Sequence, residues 1–341
     1  MSDNKPTISV CIPVYNRRET VRRALESVLT QTWHDFEIVA VDNASPDGTF
    51  ETLAEYSKRD PRVHAYRNNT NVGAVRNWMK CVEYSRGELI KIVFSDDWLL
   101  PGAIEAFVLA LQGSPKSAFA TCAGGMHIEG SHYPDVFWKG TSGEIPKEEF
   151  IWEHATSGET LLVTPMAAVF RRKDLLTAIQ PGMPGPDCEY CNSHAMGHDL
   201  AIFLRTIDKY PCYYHIDRKL IMLSHSNEEE SISKAANISG ESARKFACYR
   251  AALGKCLEES SLSEWQKARF RAAMYLRDIN PRSLRSAASR KALKERIGPF
   301  DLPVLAAFVT PSVFRFAMHR LTEIAGSLLR KAGRVNRAGS R

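Results

Sequence analysis

Along the first hundred residues, short continuous apolar runs alternate with stretches whose apolar positions recur at helical spacing. Residues 7–14 form a β-branched run that predicts a strand and stops at Tyr15-Asn16-Arg17. Thr20–Leu29 then carries Val21, Ala24, Leu25 and Val28 on one face, the spacing of an amphipathic helix. Residues 36–41 predict a second strand, closed by the turn formers Asp42-Asn43-Ala44-Ser45-Pro46-Asp47-Gly48-Thr49 before a helix over 50–58. A third strand at 63–66, a third helix at 73–84 and a fourth strand at 89–94, ending at Ser95-Asp96-Asp97, continue the series. This alternation predicts a parallel sheet covered by helices on both faces. Ligands of such sheets bind beyond the carboxyl ends of the strands, where loops meet helix N-termini that favour anions. Each polar cluster just named lies at such an end.

Residues 101–215 read as mixed structure, with strand candidates at 118–122, 161–170 and 212–216 and a Gly/Pro-rich loop at 180–186. Residues 241–294 are rich in Ala, Arg and Leu at helical spacing, interrupted at Asn280-Pro281, and the chain shows no internal repeat or low-complexity tract. The organisation expected is an α/β domain over 1–235, with a ligand-binding half at 7–110 and a second half at 111–235, followed by a helical region over 236–341.

Composition changes this picture little: 44% hydrophobic and 25% charged residues are ordinary for a soluble globular chain. The net charge of +6 has one source. Residues 311–341 hold Arg315, Arg320, Arg330, Lys331, Arg334, Arg337 and Arg341 against Glu323 alone, so the rest of the chain is balanced and a broad nucleic-acid footprint is not expected. Within the same tail Phe314, Ala317, Met318, Leu321, Ile324, Ala325 and Leu328 recur at helical spacing opposite the charges, after Thr310-Pro311. Two readings stand for this basic amphipathic helix: packing on the domain, or attachment to the anionic inner face of a membrane. The start, MSDNKPTISV, lacks the apolar stretch of a secretory signal, and the run 302–314 is broken by Pro303 and Pro311 and falls short of the roughly 20 residues of a bilayer span. A cytoplasmic protein, peripheral on the membrane at most, is expected. The eight irregularly placed cysteines fit reduced thiols.

The G-x-G-x-x-G and G-x-x-x-x-G-K-[ST] phosphate loops are missing. In their place ISVCIPVYNRRET, VDNASPDGT, NVGAVRN and FSDDWLLPGAIE follow one another, and this order resembles the family 2 glycosyltransferases of the GT-A fold over residues 7–110. The resemblance implies a nucleotide-sugar donor, a UDP-sugar foremost, whose base stacks on Tyr15, with Pro13 presenting backbone groups and Arg17 reaching a phosphate. Asp42 matches an acidic position that binds base or ribose. Asn43 stands where relatives keep a second acid, which leaves the identity of the base open. Gly73, Arg76 and Asn77, after Asn71, resemble the next donor-contacting stretch. Ser95-Asp96-Asp97 occupies the place of the metal-binding D-x-D, without its first acid. Asp96 aligns with the metal-binding carboxylate and Asp97 with the acid that follows it, for Mg2+ or Mn2+; the alternative for this pair is a solvated turn.

Gly197-His198-Asp199-Leu200-Ala201 resembles the site of the catalytic base, with Asp199 in the base position and His198 replacing a Glu; alternatively Asp199 is a helix N-cap. His225, in YYHIDRKLIMLSHS, matches a histidine that relatives keep near metal or diphosphate. Cys188, Cys191, His194 and His198 have zinc-ligand chemistry at a spacing tighter than usual zinc sites, so a set of loop side chains without metal remains the other reading. The sum implied is an inverting glycosyltransferase that uses a glycan or lipid-linked glycan acceptor, as in surface polysaccharide synthesis. The alternative is a nucleotide-sugar-binding scaffold of the same fold without turnover. Nucleotidyl transfer would require a Gly-rich, Arg/Lys-bearing N-terminal loop that is not there.

Overall fold

The computed structural model describes residues 5–128, 131–132, 141–156, 163–182, 195–225 and 242–278. The readings made on Cys188, Cys191, His194, the loop beyond Gly182 and the tail 311–341 lie outside the described residues.

Strands β1 (Ile8–Val14), β2 (Phe36–Asp42), β3 (Val63–Arg67) and β4 (Leu89–Ile92) form a parallel set in the order β3-β2-β1-β4. Every residue of β1 and β2 is buried, as apolar β-branched strands are when both sheet faces are covered. The intervening helices α1 (Thr20–Leu29), α2 (Thr49–Arg59) and α3 (Ala74–Tyr84) bury the stripes their spacing predicts, Val21, Ala24, Leu25 and Val28 in α1 among them. The first half thus follows its pattern closely.

Beyond a short β5 (Trp98–Leu99) and α4 (Ala103–Gly113), the sheet becomes mixed. It continues from β4 through β9 (Ala168–Arg171), β6 (Ser117–Ile128) and β10 (Cys212–His225) to β5, with β9 antiparallel to both neighbours and β10 parallel to β6. The small strands β7 (Ser131–His132) and β8 (Gly143–Pro146) pair with β6 and β10. Helices α5 (Lys147–Thr156), α6 (Arg172–Ala178) and α7 (His198–Ile207) complete this half. Phe119 of β6 is ringed by Phe150, Phe170, Phe203 and Tyr213, with centroids 4.9–5.6 Å away, so one aromatic cluster fastens α5, β9, α7 and β10 to β6.

Two strand expectations change. The candidate at 161–170 is a 3₁₀ turn at Pro165–Ala167 followed by the short β9. The candidate at 212–216 extends to His225, because register shifts at Ile216/Lys219 and Lys219/Ile221 carry the exposed Asp217-Arg218-Lys219 through the ladder. Lys91, inside the apolar β4, is fully buried. Its ammonium donates to the carbonyls of Met166 and Ala168, which pins the 3₁₀ turn to the parallel set, and burial lowers its pKa to about 7.

Residues 1–154 with 158–261 form one compact unit, and within it α8 (Ser242–Glu259) packs on α7. The helix α9 (Glu264–Asp278) belongs to a second unit. Its N-terminus is closed by a reciprocal box in which Ser263 Oγ accepts from Gln266 N–H at 3.3 Å and Gln266 Oε1 accepts from Ser263 N–H at 3.0 Å. Among the described cysteines, Cys11, Cys81, Cys122, Cys212 and Cys256 are free and buried, whereas Cys248 is disulfide-bonded, which corrects the expectation of a wholly reduced set. No helix among the described residues is long and apolar enough to cross a membrane.

Candidate active site

The loops after β1 and β2 are built as one unit. Pro13 pairs with Val41 in the ladder, and Tyr15 follows the end of β1 with 43% of its surface exposed, an aromatic face left open beside the sheet. Asn16 adopts a left-handed turn (φ 52°), and its N–H donates to Ser45 Oγ at 2.9 Å, while Arg17 N–H donates to Thr49 Oγ1 at 3.0 Å. Asp42, at the end of β2, is fully buried. Its carboxylate accepts from Ser45 N–H at 3.2 Å and from the Ser45 hydroxyl, and pairs with the Arg67 guanidinium, whose Nε lies 3.3 Å away. Burial lifts its pKa above the usual value in spite of these donors.

Asn43 holds a network of amides. Its Nδ2 donates to Asn71 Oδ1 at 2.7 Å, and its Oδ1 accepts from Asn68 Nδ2 and Val72 N–H, both at 3.0 Å. Asn77 lies in the same network, accepting from Asn68 at 2.9 Å and donating to the Val41 carbonyl at 3.0 Å. A carboxylate in place of Asn43 could not donate to Asn71, so an amide suits this junction. Gly73 (φ 85°) turns the chain into α3, and Arg76 stands exposed in the first turn of that helix with no ion pair among the described residues.

At the end of β4 the two acids divide. Asp97 is buried, its Oδ1 accepts from Ser224 N–H at 2.8 Å, and burial together with the adjacent Asp96 carboxylate pushes its pKa well above the usual range. Asp96 keeps 25% of its side chain in solvent and lies 3.9 Å from Arg17 Nε, which joins the β1 loop to the β4 loop. Ser95 is buried before them. Arg23 of α1, which sequence reasoning passed over, donates to the Asp96 carbonyl at 2.8 Å and lies over the Trp98 ring at 3.9 Å. Its helical position carried no signal beyond its charge. The backbone of His225 pairs with Ile128, one residue beyond the Ser224 amide that Asp97 holds.

A divalent cation fits this donor set in its chemistry. Asp96 offers a hard oxygen at the surface, beside an Asp97 carboxyl whose pKa is raised by burial first and by Asp96 second, and a cation would favour the ionised form of both. Among the described residues no three His, Cys, Asp or Glu side chains converge. The protein would therefore supply one or two ligands and a bound diphosphate the others, a usual arrangement for Mg2+.

Connectivity places the C-terminal end of α7. After α7, the chain turns over 208–211 directly into β10, whose first residue Cys212 pairs with Ser117 at the start of β6. The helix therefore ends at the strand-start edge, and β6, two antiparallel steps from β4, runs parallel to β1. A ten-residue helix is about 15 Å long, so its N-terminus with Asp199 lies about that far from the strand-start edge. The N-cap is Gly197 (φ 81°) and Asp199 lies within the first turn. Its Oδ1 accepts from Leu200 N–H at 3.0 Å and its Oδ2 from the phenol of Tyr249, in α8, at 2.6 Å. A Cβ on Gly197 would lie 2.9 Å from the Cys248 carbonyl, so only glycine lets α7 and α8 approach this closely.

Next to Asp199, His198 is buried, and burial lowers its pKa to about 4; His215 in β10 is lowered likewise to about 4. Both rings fold neutral and are protonated in the unfolded chain below about pH 6.5. Their linkage costs nothing above that pH and is complete below pH 4. Urea unfolding followed from pH 7 to pH 4 is therefore expected to show stability falling as pH drops, with a shallower fall in His215→Asn.

Comparison with known proteins agrees with this geometry. Residues 9–176 match the family model described as Glycosyl transferase family 2. The chain is 46% identical over 101 residues to the uncharacterized protein MT1568 of Mycobacterium tuberculosis, covering 30% of this chain and 31% of that one. It is 28% identical over 149 residues to GalNAc(5)-diNAcBac-PP-undecaprenol beta-1,3-glucosyltransferase of Campylobacter jejuni, covering 43% and 48%. The matches thus span less than half the length of these relatives. Among solved structures, S. aureus TarS 1-349 in complex with UDP-GlcNAc superposes with a TM-score of 0.61 at 18% identity, over 86% of this chain and 80% of that one. The mannosyltransferase PcManGT of Pyrobaculum calidifontis, in complex with GDP-Man and Mn2+, gives 0.53 at 17% identity, over 92% and 81%. Over residues 9–176 the chain therefore matches the family 2 glycosyltransferases, and its mixed α/β sheet is similar to the GT-A fold of TarS.

Proposed function

We propose that the protein transfers a sugar from a nucleoside diphosphate sugar, a UDP-sugar foremost, to a hydroxyl of a glycan or lipid-linked glycan, with inversion at the anomeric carbon. The observation that carries this reading is that Tyr15, Asp42 and Asp96 follow or close the parallel strands β1, β2 and β4 at their carboxyl ends. Tyr15 offers its exposed ring to the base, and Asp42, held rigid by Ser45 and Arg67, lines the adjoining end of β2. Arg76, free of ion pairs among the described residues, suits a phosphate. A cation at Asp96 would neutralise the charge that develops on the departing diphosphate. The Asp199 carboxylate takes the proton of the acceptor hydroxyl as its oxygen forms a bond to the anomeric carbon. The bond to the diphosphate breaks on the opposite face, and its electron pair leaves with the nucleotide.

UDP-GlcNAc in the TarS complex and Mn2+ in the PcManGT complex support the choice of donor and ion by analogy of fold, and the undecaprenol-linked name of the Campylobacter relative supports a lipid-linked acceptor. The basic tail 311–341 would then keep the enzyme at the anionic membrane face where such acceptors reside. Sedimentation with vesicles containing anionic lipid, before and after removal of 311–341, is expected to show binding that the removal abolishes; equal binding excludes the tail as anchor. Binding of donor without turnover is the second reading, favoured by Arg17 beside Asp96, since a guanidinium there neutralises the carboxylate without a metal. Release of UDP from UDP-sugars, with the anomeric configuration of the product read by NMR, decides between them. Turnover with inversion supports transfer, and tight binding without release supports the scaffold.

A further inference from the structure

Beyond the residues matched by the family model, α8 carries a half-buried tyrosine whose hydroxyl reaches the Asp199 carboxylate. Tyr249 Oη donates to Asp199 Oδ2 at 2.6 Å. Its ring packs against Met196 and Cys248, and Gly197 allows the close approach of α7 and α8 that sets this distance. Burial and the Asp199 charge hold the phenol well above its ordinary pKa, so it stays protonated and remains a donor. The backbone N–H of Leu200 holds the other oxygen at 3.0 Å. The carboxylate is thus gripped at both oxygens, which fixes its plane.

We propose that Tyr249 is a positioning residue for the transfer reaction, orienting the Asp199 carboxylate and tuning its basicity from a helix outside the family core. The inference rests on the reading of Asp199 as general base. A charged hydrogen bond of this kind favours the ionised carboxylate, and it does so from a side chain that touches neither donor nor acceptor. Other titratable groups on the packed helices include His198, neutral by burial, Arg205 of α7, which pairs with Glu259 of α8 at 3.8 Å, Lys255 of α8, which pairs with the same Glu259 at 3.6 Å, and Asp174 of α6, which accepts from Tyr210 at 2.7 Å and Lys209 at 3.4 Å.

The test uses the full chain and hydrolysis of whichever UDP- or GDP-sugar it turns over, with three variants. Asp199→Asn establishes the base. Tyr249→Phe keeps the ring and removes the donor, and 3-fluorotyrosine placed at position 249 keeps the shape with a more acidic phenol. Tyr249→Phe is expected to lower kcat about tenfold or more with donor affinity unchanged, and to move the acid limb of the kcat/KM profile to higher pH. The fluorinated residue is expected to move that limb to lower pH, a reversal that a merely structural role would not produce. Should Tyr249→Phe fail to fold, the isosteric fluorinated protein still decides the matter. An acid limb that stays in place in the folded variants while Asp199→Asn is inactive overturns the positioning role alone; full activity in Asp199→Asn overturns the base and the positioning role together.

Discussion

Asp199→Asn is expected to lower sugar transfer by a factor on the order of 10²–10⁴, the usual contribution of a general base, while donor affinity stays within about twofold of the original. The amide is isosteric, and with its oxygen turned to the Tyr249 phenol it gives up only the bond from Leu200 N–H, so the first turn of α7 should keep its shape. What it loses is the ability to take a proton. Because Asp199 is held by Leu200 N–H of α7 and by Tyr249 of α8, its loss should leave the donor site intact. Steady-state kinetics alongside calorimetric donor binding separates the two effects. Unchanged kcat would remove Asp199 from the mechanism, and equal losses in kcat and binding would mean that it serves the donor.

Asp96→Ala is expected to act at the other side of the reaction. Asp96 is the carboxylate of the pair that remains in solvent, whereas Asp97 is committed to the Ser224 amide. Removing it should cost about 3 kcal/mol of metal-dependent donor affinity, roughly a hundredfold, and should abolish the difference between titrations with and without Mn2+. Asp97→Ala should instead disturb the junction of β5 and β10, because the Asp97 oxygen accepts from Ser224 N–H and holds β10 in place. Persistence of the Mn2+ effect in Asp96→Ala would place the ion elsewhere.

The parts of this fold that were legible in the sequence are those written in local pattern. The βα units of the first hundred residues combine a β-branched run, a turn cluster and an amphipathic stripe, and each emerged at its place because local preference and burial agree there. The long β10 was not legible past Ile216, since Asp217-Arg218-Lys219 breaks the apolar pattern and only the bulged pairing with β6 keeps those residues in a strand. The buried Lys91 was equally hidden: its carbonyl partners lie more than seventy residues away, and no local rule anticipates them. The site shows the same division. Tyr15, Asp42 and Asp96 could be named because they close strands within motifs, whereas Arg23, Ser45 and Tyr249 act through contacts across elements. The amide network around Asn43 belongs to this second kind, for a departure from the acidic pattern in sequence becomes a structural junction once Asn68, Asn71 and Asn77 meet it.

The central claim, a nucleotide-sugar site at the carboxyl edge of the sheet, is tested most directly by calorimetric titration of the full chain with UDP, GDP and CDP, with and without Mn2+. The account predicts that UDP binds and that Mn2+ tightens its binding. Failure of all three nucleotides to bind, with or without the ion, would contradict it.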